Sequence, residues 1–194
     1  MNKPTIQIGH PSLKAPNEQI HDFESAKLKE LIQDLTDTMH EAGLIGIAAP
    51  QIAENYQVFI TQPRETASRP ASESDTLRIY INPVITVSSS EESTIYEGCG
   101  SVMNGKLFGP VSRPKVVTIE AYNEHGKKFR FTADGMLGRV IQHEYDHLQG
   151  IEFTEKVTDY KLLMHLDYYL ERIRTSKEQM EASVISIKEF QELS

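Results

Sequence analysis

The stretch DGMLGRVIQHEYDHLQG, residues 134–150, has the pattern of a buried helix. Asp134 is a candidate N-cap and Gly150 a candidate stop, because these residue types are favoured at the two ends of helices. The apolar residues between them would lie on several sides of the helix: Met136, Leu137, Val140, Ile141 and Leu148. A helix of this kind belongs in the middle of a core. The stretch therefore predicts a central helix around which the other elements pack.

Two histidines interrupt this apolar stretch. His143 and His147 would lie one helical turn apart on one face, where two imidazoles can share a divalent ion. Glu144 follows the first histidine, and a carboxylate there can exchange a proton with water at the ion. The competing interpretation is two partly exposed histidines with an acidic neighbour, but unpaired polar groups in an apolar helix are costly, which favours the metal site. Asp146 either orients a ligand imidazole or faces water, and both options stay open.

A catalytic metal site usually has three protein ligands. The single cysteine of the chain, Cys99, lies between two glycines in YEGCGSV, residues 96–102. It could be a small buried apolar residue, a nucleophile paired with a histidine, or a thiolate ligand. Considered alone, Cys99 is most simply a buried residue. Beside the two histidines, the thiolate that completes a Cys-His-His set becomes the more attractive interpretation.

The rest of the chain predicts an α+β fold. Short, mostly antiparallel strands would surround the central metal-binding helix, with an N-terminal helix and a long C-terminal helix. One apolar stripe predicts the N-terminal helix over residues 22–42, ending at Gly43: Leu28, Leu31, Ile32, Leu35 and Met39. The other predicted elements are strands at 56–60, 77–81 and 84–88, a hairpin at 115–133, a mobile surface loop at 61–75 and the last helix at about 159–180.

The bulk composition indicates one domain over residues 1–194, with a helical extension from about residue 160. The formal net charge of −8 argues against nucleic acid or an anionic membrane as a partner. The sequence has neither an apolar run long enough to span a bilayer nor a secretory pattern at its N-terminus. A single cysteine excludes an internal disulfide, so we expect a cytoplasmic protein.

Three segments together resemble the motifs of the peptide deformylases: GIAAPQ (46–51), EGCGS (97–101) and QHEYDHLQG (142–150). The resemblance extends over roughly residues 4–155. It implies an α+β metallohydrolase that removes the formyl group from the N-terminal methionine of nascent polypeptides. It also implies that Cys99 and the two histidines hold one ion, usually ferrous iron, which zinc, nickel or cobalt can replace.

The resemblance further implies roles for individual residues. Glu144 matches the catalytic glutamate, while the Gln51 amide and the Gly100 N–H match the groups that bind the formyl oxygen. Gly46 matches a strip that pairs with the substrate backbone. The remaining expectations are that Glu97 is a supporting acid with Arg113 as its partner, and that the methionine pocket has walls at Ile45, Ile47 and Ile141.

The chain departs from the deformylase pattern at two motif positions. Leu44 stands where the first motif usually has a glycine, and Gly100 stands where the second motif usually has a leucine. These changes motivate an alternative hypothesis, a weak or inactive relative that binds a metal or a partner. A peptidase of the general His-Glu-x-x-His type is a further alternative. The charged C-terminal helix could contact the ribosome, although a solvated helix face is the simpler interpretation.

Overall fold

The computed structural model describes residues 3–67 and 69–193. The α-helices are α1 (Ala26–Glu41), α2 (Gly135–Leu148), α3 (Leu166–Arg172) and α4 (Lys177–Ser183). The strands are β1 (Gly46–Ala48), β2 (Val58–Thr61), β3 (Arg78–Ser88), β4 (Glu92–Gly98), β5 (Leu107–Pro114), β6 (Val117–Tyr122), β7 (Lys128–Ala133), β8 (Met164–His165) and β9 (Lys188–Glu192). The α+β fold class predicted from the sequence is confirmed.

The strands form two antiparallel sheets. The larger sheet has six strands in the order β1-β2-β3-β6-β7-β9, so β1 lies at one edge. The smaller sheet has the order β4-β5-β8. The hairpin predicted at 115–133 is β6 and β7, which pair from Val117 opposite Ala133 to Tyr122 opposite Lys128. Gly126 in the turn has a φ of 72°, a conformation that glycine adopts without strain.

Helix α2 lies in the centre of the molecule, as predicted. Three of its side chains share one buried cluster with residues of the large sheet: Leu137, Ile141 and Leu148 with Phe59, Tyr80, Ile119 and Phe131. Gly150, with a φ of 69°, follows the end of the helix as predicted. The Asp134 side chain does not cap its own helix; Oδ1 instead accepts hydrogen bonds from the backbone N–H groups of Ser186 and Ile187. Asp134 thereby ties the C-terminal segment to the start of α2.

Helix α1 begins later than the sequence indicated, because Ser25 is its N-cap. The Ser25 hydroxyl accepts a hydrogen bond from the Leu28 N–H at 3.3 Å. The apolar stripe of α1 packs in a second cluster with residues of the first three strands. The helix ends before Gly43, which has a φ of 66°, so the predicted stop is confirmed.

Two predictions for the segment between β2 and β6 need correction. β3 is one strand across Asn82 and Pro83, rather than two, because a register shift accommodates the irregular Asn82 backbone with a φ of 50°. The Asn82 side chain bonds both backbone groups of Ile20 and so holds this irregularity in place. The predicted surface loop 61–75 contains a 3₁₀ turn, Ala71–Glu73, whose glutamate is buried.

The prediction of one long C-terminal helix is wrong. The chain instead forms β8, which pairs with β5, and then the two short helices α3 and α4. Ser176 separates the helices because its hydroxyl caps the start of α4 by accepting from the Gln179 N–H. The final segment, β9, adds the sixth strand to the large sheet beside β7. None of the helices in the described ranges is both long and apolar enough to cross a bilayer.

Candidate metal centre

Cys99, His143 and His147 come together in the interior. One ligand atom from each residue lies within 4.8 Å of the other two, and all three side chains are buried. The Cys99 Sγ is 3.3 Å from His147 Nε2. The cysteine directly follows β4, and both histidines project from α2. The fold therefore brings together the three residues that the sequence singled out as ligands.

The pKa of the Cys99 thiol is lowered to about 6. Burial raises it, but the charge of His147 and the hydrogen bonds of both histidines outweigh burial. Gln51 Nε2 at 3.5 Å and the Ser101 N–H at 3.4 Å also point at Sγ. Cys99 is therefore a thiolate near neutral pH, the form in which cysteine binds metals.

His143 is oriented by a buried acid. Its Nδ1 lies 3.0 Å from Glu97 Oε2, and the imidazole keeps its other nitrogen for the cysteine side. Burial lowers the pKa of His143, but hydrogen bonds to Cys99 and Glu97 raise it to about 10. A carboxylate behind a histidine fixes the ring orientation and strengthens it as a ligand.

Glu97 is held ionised by two arginines. Arg113 donates to both Glu97 oxygens, at 2.7 and 3.0 Å, as the predicted pair requires. Arg139 donates to Glu97 Oε1 at 3.0 Å and was not predicted as a partner. Burial opposes ionisation of Glu97, but Arg113 and His143 keep its pKa well below the usual value.

Asp146 follows neither interpretation made from the sequence. It neither touches a ligand imidazole nor faces water, but pairs with Arg113 at 2.6 Å and with Lys156 at 3.0 Å. Asp146 therefore positions the arginine that supports Glu97, one step further from the cluster.

His147 faces a second buried carboxylate. Its Nδ1 is 3.6 Å from Glu152 Oε2, just beyond hydrogen-bond distance, and both side chains are only 1% exposed. Burial lowers the pKa of His147, but the charge of Cys99 raises it well above the usual value. The sequence offered one signal for this partner, the acid five residues after His147, but its contact depends on the turn after α2.

Glu144 lies on the same helix and against β1. Burial raises the pKa of its carboxyl group to about 7, although the two histidines oppose that shift. Among the described residues, its buried Oε2 has no hydrogen-bond partner. An unpartnered, near-neutral carboxyl group beside a cluster of ligands is suited to exchange protons with a bound molecule.

Gln51 is fixed by both ends of its amide. Its Oε1 accepts from the Ala48 N–H at 2.8 Å, and its Nε2 donates to Ser101 Oγ at 3.2 Å as well as toward Cys99. This arrangement presents the NH₂ group, a donor, to the cluster.

Comparisons with known proteins identify the family of this chain. A sequence model described as polypeptide deformylase matches residues 2–162. The chain belongs to the polypeptide deformylase family. Its relatives include peptide deformylases from Neisseria meningitidis, 37% identical over 77% of this chain and 87% of the relative, and from Treponema pallidum, 35% identical over 78% and 86%. A solved class I type b peptide deformylase from Acinetobacter baumannii, described as bound to Met-Ala-Ser, is 30% identical with a TM-score of 0.75, covering 81% of this chain and 99% of that one.

The chain is thus a peptide deformylase, a hydrolase of the metal-dependent type. A cavity of about 360 Å³ opens onto its cluster, a size suited to a small ligand or a short peptide segment. The predicted residues on its wall are Cys99, His143, Glu144, Gln51, Gly100, Gly46, Ile45 and Glu97.

Two of the predicted pocket walls lie elsewhere in the deformylase. Ile47 and Ile141 are fully buried in the hydrophobic core, where they pack with α1 and with the large sheet respectively. Ile47 is 0% exposed and shares its cluster with the apolar stripe of α1, which covers its side chain. Apolar residues that were not predicted as pocket walls line the cavity instead: Leu44, Ile95, Met136, Val140, Leu166 and Leu170.

Proposed function

We propose that this deformylase holds one divalent ion through Cys99, His143 and His147 and removes the formyl group from N-terminal formyl-methionine of nascent polypeptides. The observation that carries the proposal is the convergence of these three ligand atoms within 4.8 Å of one another, next to a cavity lined by Cys99, His143 and Glu144. The substrate is inferred from the resemblance of the three motifs to those of the peptide deformylases. The Met-Ala-Ser peptide bound to the Acinetobacter baumannii relative has the sequence of a deformylated product.

The donor set fits a divalent transition metal. A thiolate with two imidazoles suits zinc, iron, nickel and cobalt, and Glu97 and Glu152 stand behind the two imidazoles as supporting carboxylates. We propose ferrous iron as the physiological ion, following the family resemblance. When bound, the ion supplies Lewis acidity, which acidifies water and polarises a carbonyl group.

Glu144 would move the proton. Its pKa of about 7 allows the carboxylate to accept a proton from the attacking water at neutral pH. The same carboxyl group then returns the proton to the amine that leaves when the formamide C–N bond breaks. Its Oε2, free of partners within the described residues, is the oxygen available for this exchange.

Gln51 and Gly100 would stabilise the negative charge that develops on the formyl oxygen. The Gln51 amide is already oriented by Ala48 and Ser101, so it loses little freedom when it donates to substrate. Preorganised donors of this kind are each worth about 2.7–4 kcal/mol in the transition state.

The edge strand β1 would align the peptide. β1 pairs only with β2 in the six-stranded sheet, which leaves its other edge for an extended substrate. Gly46 lies on this strand and lines the cavity, as does Ile45 just before it. Main-chain pairing explains how one enzyme could accept many nascent chains.

The setting of the reaction is part of the proposal. We infer a cytoplasmic enzyme that works on chains as they leave the ribosome, built as one domain over residues 1–194. The segment after residue 162, with its exposed charges on α3 and α4, is the part we propose for a ribosome contact. No direct contact with nucleic acid is expected from the net charge of −8.

The test is formate release from a formyl-Met-Ala-Ser peptide by protein loaded with iron without oxygen. We expect turnover by the natural chain and a loss of at least about 100-fold in Glu144→Gln, with the metal content unchanged. Glu124→Gln, an exposed change of the same kind, is the matched control and should keep full activity.

The same experiment separates the alternatives. Metal binding without formate release from any formyl peptide would favour an inactive relative. Cleavage inside unformylated peptides would favour the general peptidase. Full activity in Glu144→Gln would contradict the proposed mechanism.

A further inference from the structure

Helix α3 forms one wall of the cavity. Leu166, Tyr169 and Leu170 of this helix line it, together with Arg174 just beyond. The Tyr169 ring stacks on Phe108 at 4.1 Å and 8°, which anchors the helix to β5. All of α3 lies after residue 162, where the match to the deformylase family ends. This wall is therefore supplied by the chain's own C-terminal segment.

Two arginines stand together at this wall. Arg69, from the segment after β2, and Arg174 both line the cavity. Arg174 Nη2 donates to Glu73 Oε2 at 2.7 Å, and both of these side chains are buried. Glu73 is thus paired with Arg174, so there is one carboxylate near two guanidinium groups.

Arg69 has no acidic hydrogen-bond partner among the described residues. Its Nη1 donates to the Arg64 carbonyl oxygen at 3.4 Å, a long hydrogen bond. Its Nε is buried and has no hydrogen-bond partner among the residues that the structure describes. Burial, followed by the charge of Arg174, lowers the pKa of Arg69. The positive charge of Arg69 is therefore poorly compensated within the fold.

The other charges on the cavity do not compensate it either. Arg139, the third guanidinium of the wall, is paired with Glu97. Glu97 is in turn shared with Arg113 and His143. Apart from the Glu144 at the metal cluster, the cavity wall has no further carboxylate in the described ranges. The α3 side of the cavity thus has a surplus positive charge.

We propose that Arg69 selects nascent chains that carry an acidic side chain in the first few positions after formyl-methionine. The inference rests on the proposed function, because it takes the peptide to enter the cavity that Arg69 lines. A guanidinium group matches a carboxylate in geometry and charge, and a carboxylate of the substrate would pair with the Nη groups of Arg69 from the cavity that this residue lines. Arg174 is already paired with Glu73. Its role is to position the Arg69 guanidinium group rather than to bind the peptide.

The test compares formyl-Met peptides that differ only in one side chain, which is a carboxylate in one series and a carboxamide in the other. Each peptide has an amidated C-terminus, so that its only carboxylate is the side chain under test. One series carries Asp at the second, third or fourth position and the other carries Asn at the same place. We expect the natural enzyme to favour Asp over Asn by at least about fivefold in kcat/KM at one position, and the preference to shrink with added salt.

Variants assign the preference to a residue. Arg69→Gln should bring the Asp/Asn ratio close to one, and Arg69→Lys should keep part of it. Arg172→Gln removes an exposed arginine of α3 and is the matched control, whose ratio should equal that of the natural enzyme. A ratio near one in the natural enzyme, or an equal ratio in Arg69→Gln, would overturn the proposal.

Binding of product peptides separates this inference from the proposed function. The deformylated Met peptides of both series are titrated against the metal-loaded protein, and the Asp member should bind more tightly. A binding preference without formate release from any formyl peptide would contradict the deformylase reaction and still support the role of Arg69. Formate release with no preference in rate or in binding would contradict only the role of Arg69.

Discussion

Leu44 occupies the space that a side chain at position 100 would need. A Cβ atom added to Gly100 would lie 2.9 Å from Leu44 Cδ1, closer than two such atoms approach in folded proteins. These are the two positions at which the chain departs from the deformylase motifs. The deformylase motif usually has a leucine directly after the cysteine, where this chain has Gly100. Here the side chain of Leu44 fills that space instead. The two departures thus compensate each other and leave the metal cluster undisturbed.

This relationship predicts non-additive effects on stability. Gly100→Leu should cost about 1–3 kcal/mol by overpacking, and Leu44→Ala should cost about 1–2 kcal/mol by lost contacts. The double variant should be more stable than the sum of the two changes by about 1 kcal/mol, because the new leucine fills the space that the old one leaves. Urea unfolding of all four proteins measures this coupling, and strict additivity would contradict the shared space.

A second prediction concerns the contact of β1 with Glu144. A Cβ atom on Gly46 would lie 2.6 Å from Val140 Cγ1 and 2.7 Å from Glu144 Oε1. Gly46→Ala should therefore displace the Glu144 carboxyl group and lower kcat by about 100-fold, while the metal content stays unchanged. Gly109→Ala is the matched control, since its Cβ would meet Leu163 at 2.7 Å, away from Glu144. Equal activity in the two variants would show that Glu144 does not depend on this close approach.

The buried pair of Arg113 and Glu97 predicts a pH-dependent stability. Because the pKa of Glu97 is held well below its usual value, the folded state binds fewer protons than the unfolded state. The pair's contribution to the free energy of unfolding is therefore present above the pKa of Glu97 in the unfolded state, about 4.3. It is lost as the pH falls through the lower pKa of Glu97 in the folded state. Arg113→Gln should cost about 3–5 kcal/mol at pH 7, and this difference should shrink in acid.

Urea unfolding at neutral and acid pH checks this dependence. Arg130→Gln, which removes an exposed partner of Glu120, is the control and should change stability far less. A loss of stability in Arg113→Gln that is as small as in Arg130→Gln, or one that grows as the pH falls, would contradict the stabilising role of the Arg113–Glu97 pair.

The charge state of the metal-free cluster predicts proton release. At pH 7 the Cys99 thiol, with a pKa of about 6, is mostly ionised, while the raised pKa values of His143 and His147 keep both imidazoles protonated. Binding an ion requires neutral imidazoles, so zinc uptake should release about two protons per ion. Calorimetry in buffers of different ionisation enthalpy measures this number. Release of about one proton would indicate a neutral thiol and neutral imidazoles instead.

Local signals made part of the fold predictable. Apolar residues repeat along α1 and α2, and they alternate with polar residues along the β6–β7 hairpin. Each of these patterns lies in one continuous stretch of sequence, so it can be recognised without knowing the fold. The convergence of Cys99, His143 and His147 was predictable for a related reason: the two histidines are four residues apart on α2, and the single cysteine left few other candidates.

Contacts between distant segments were not predictable. β1 has only three residues, all buried, and shows no alternation. Arg139 meets Glu97 across 42 residues, and Arg174 meets Glu73 across 101. The leucines after residue 160 resemble one helical stripe, but pairing of Met164 with β5 and the Ser176 cap divide that stripe.

The most direct test of the account is X-ray absorption at the metal edge of the zinc-loaded protein. We expect one sulfur at about 2.3 Å and two imidazole nitrogens at about 2.0–2.1 Å, from Cys99, His143 and His147. Cys99→Ser should remove the sulfur signal. A spectrum of the natural protein with no sulfur neighbour would contradict the claim that this cluster holds the catalytic ion.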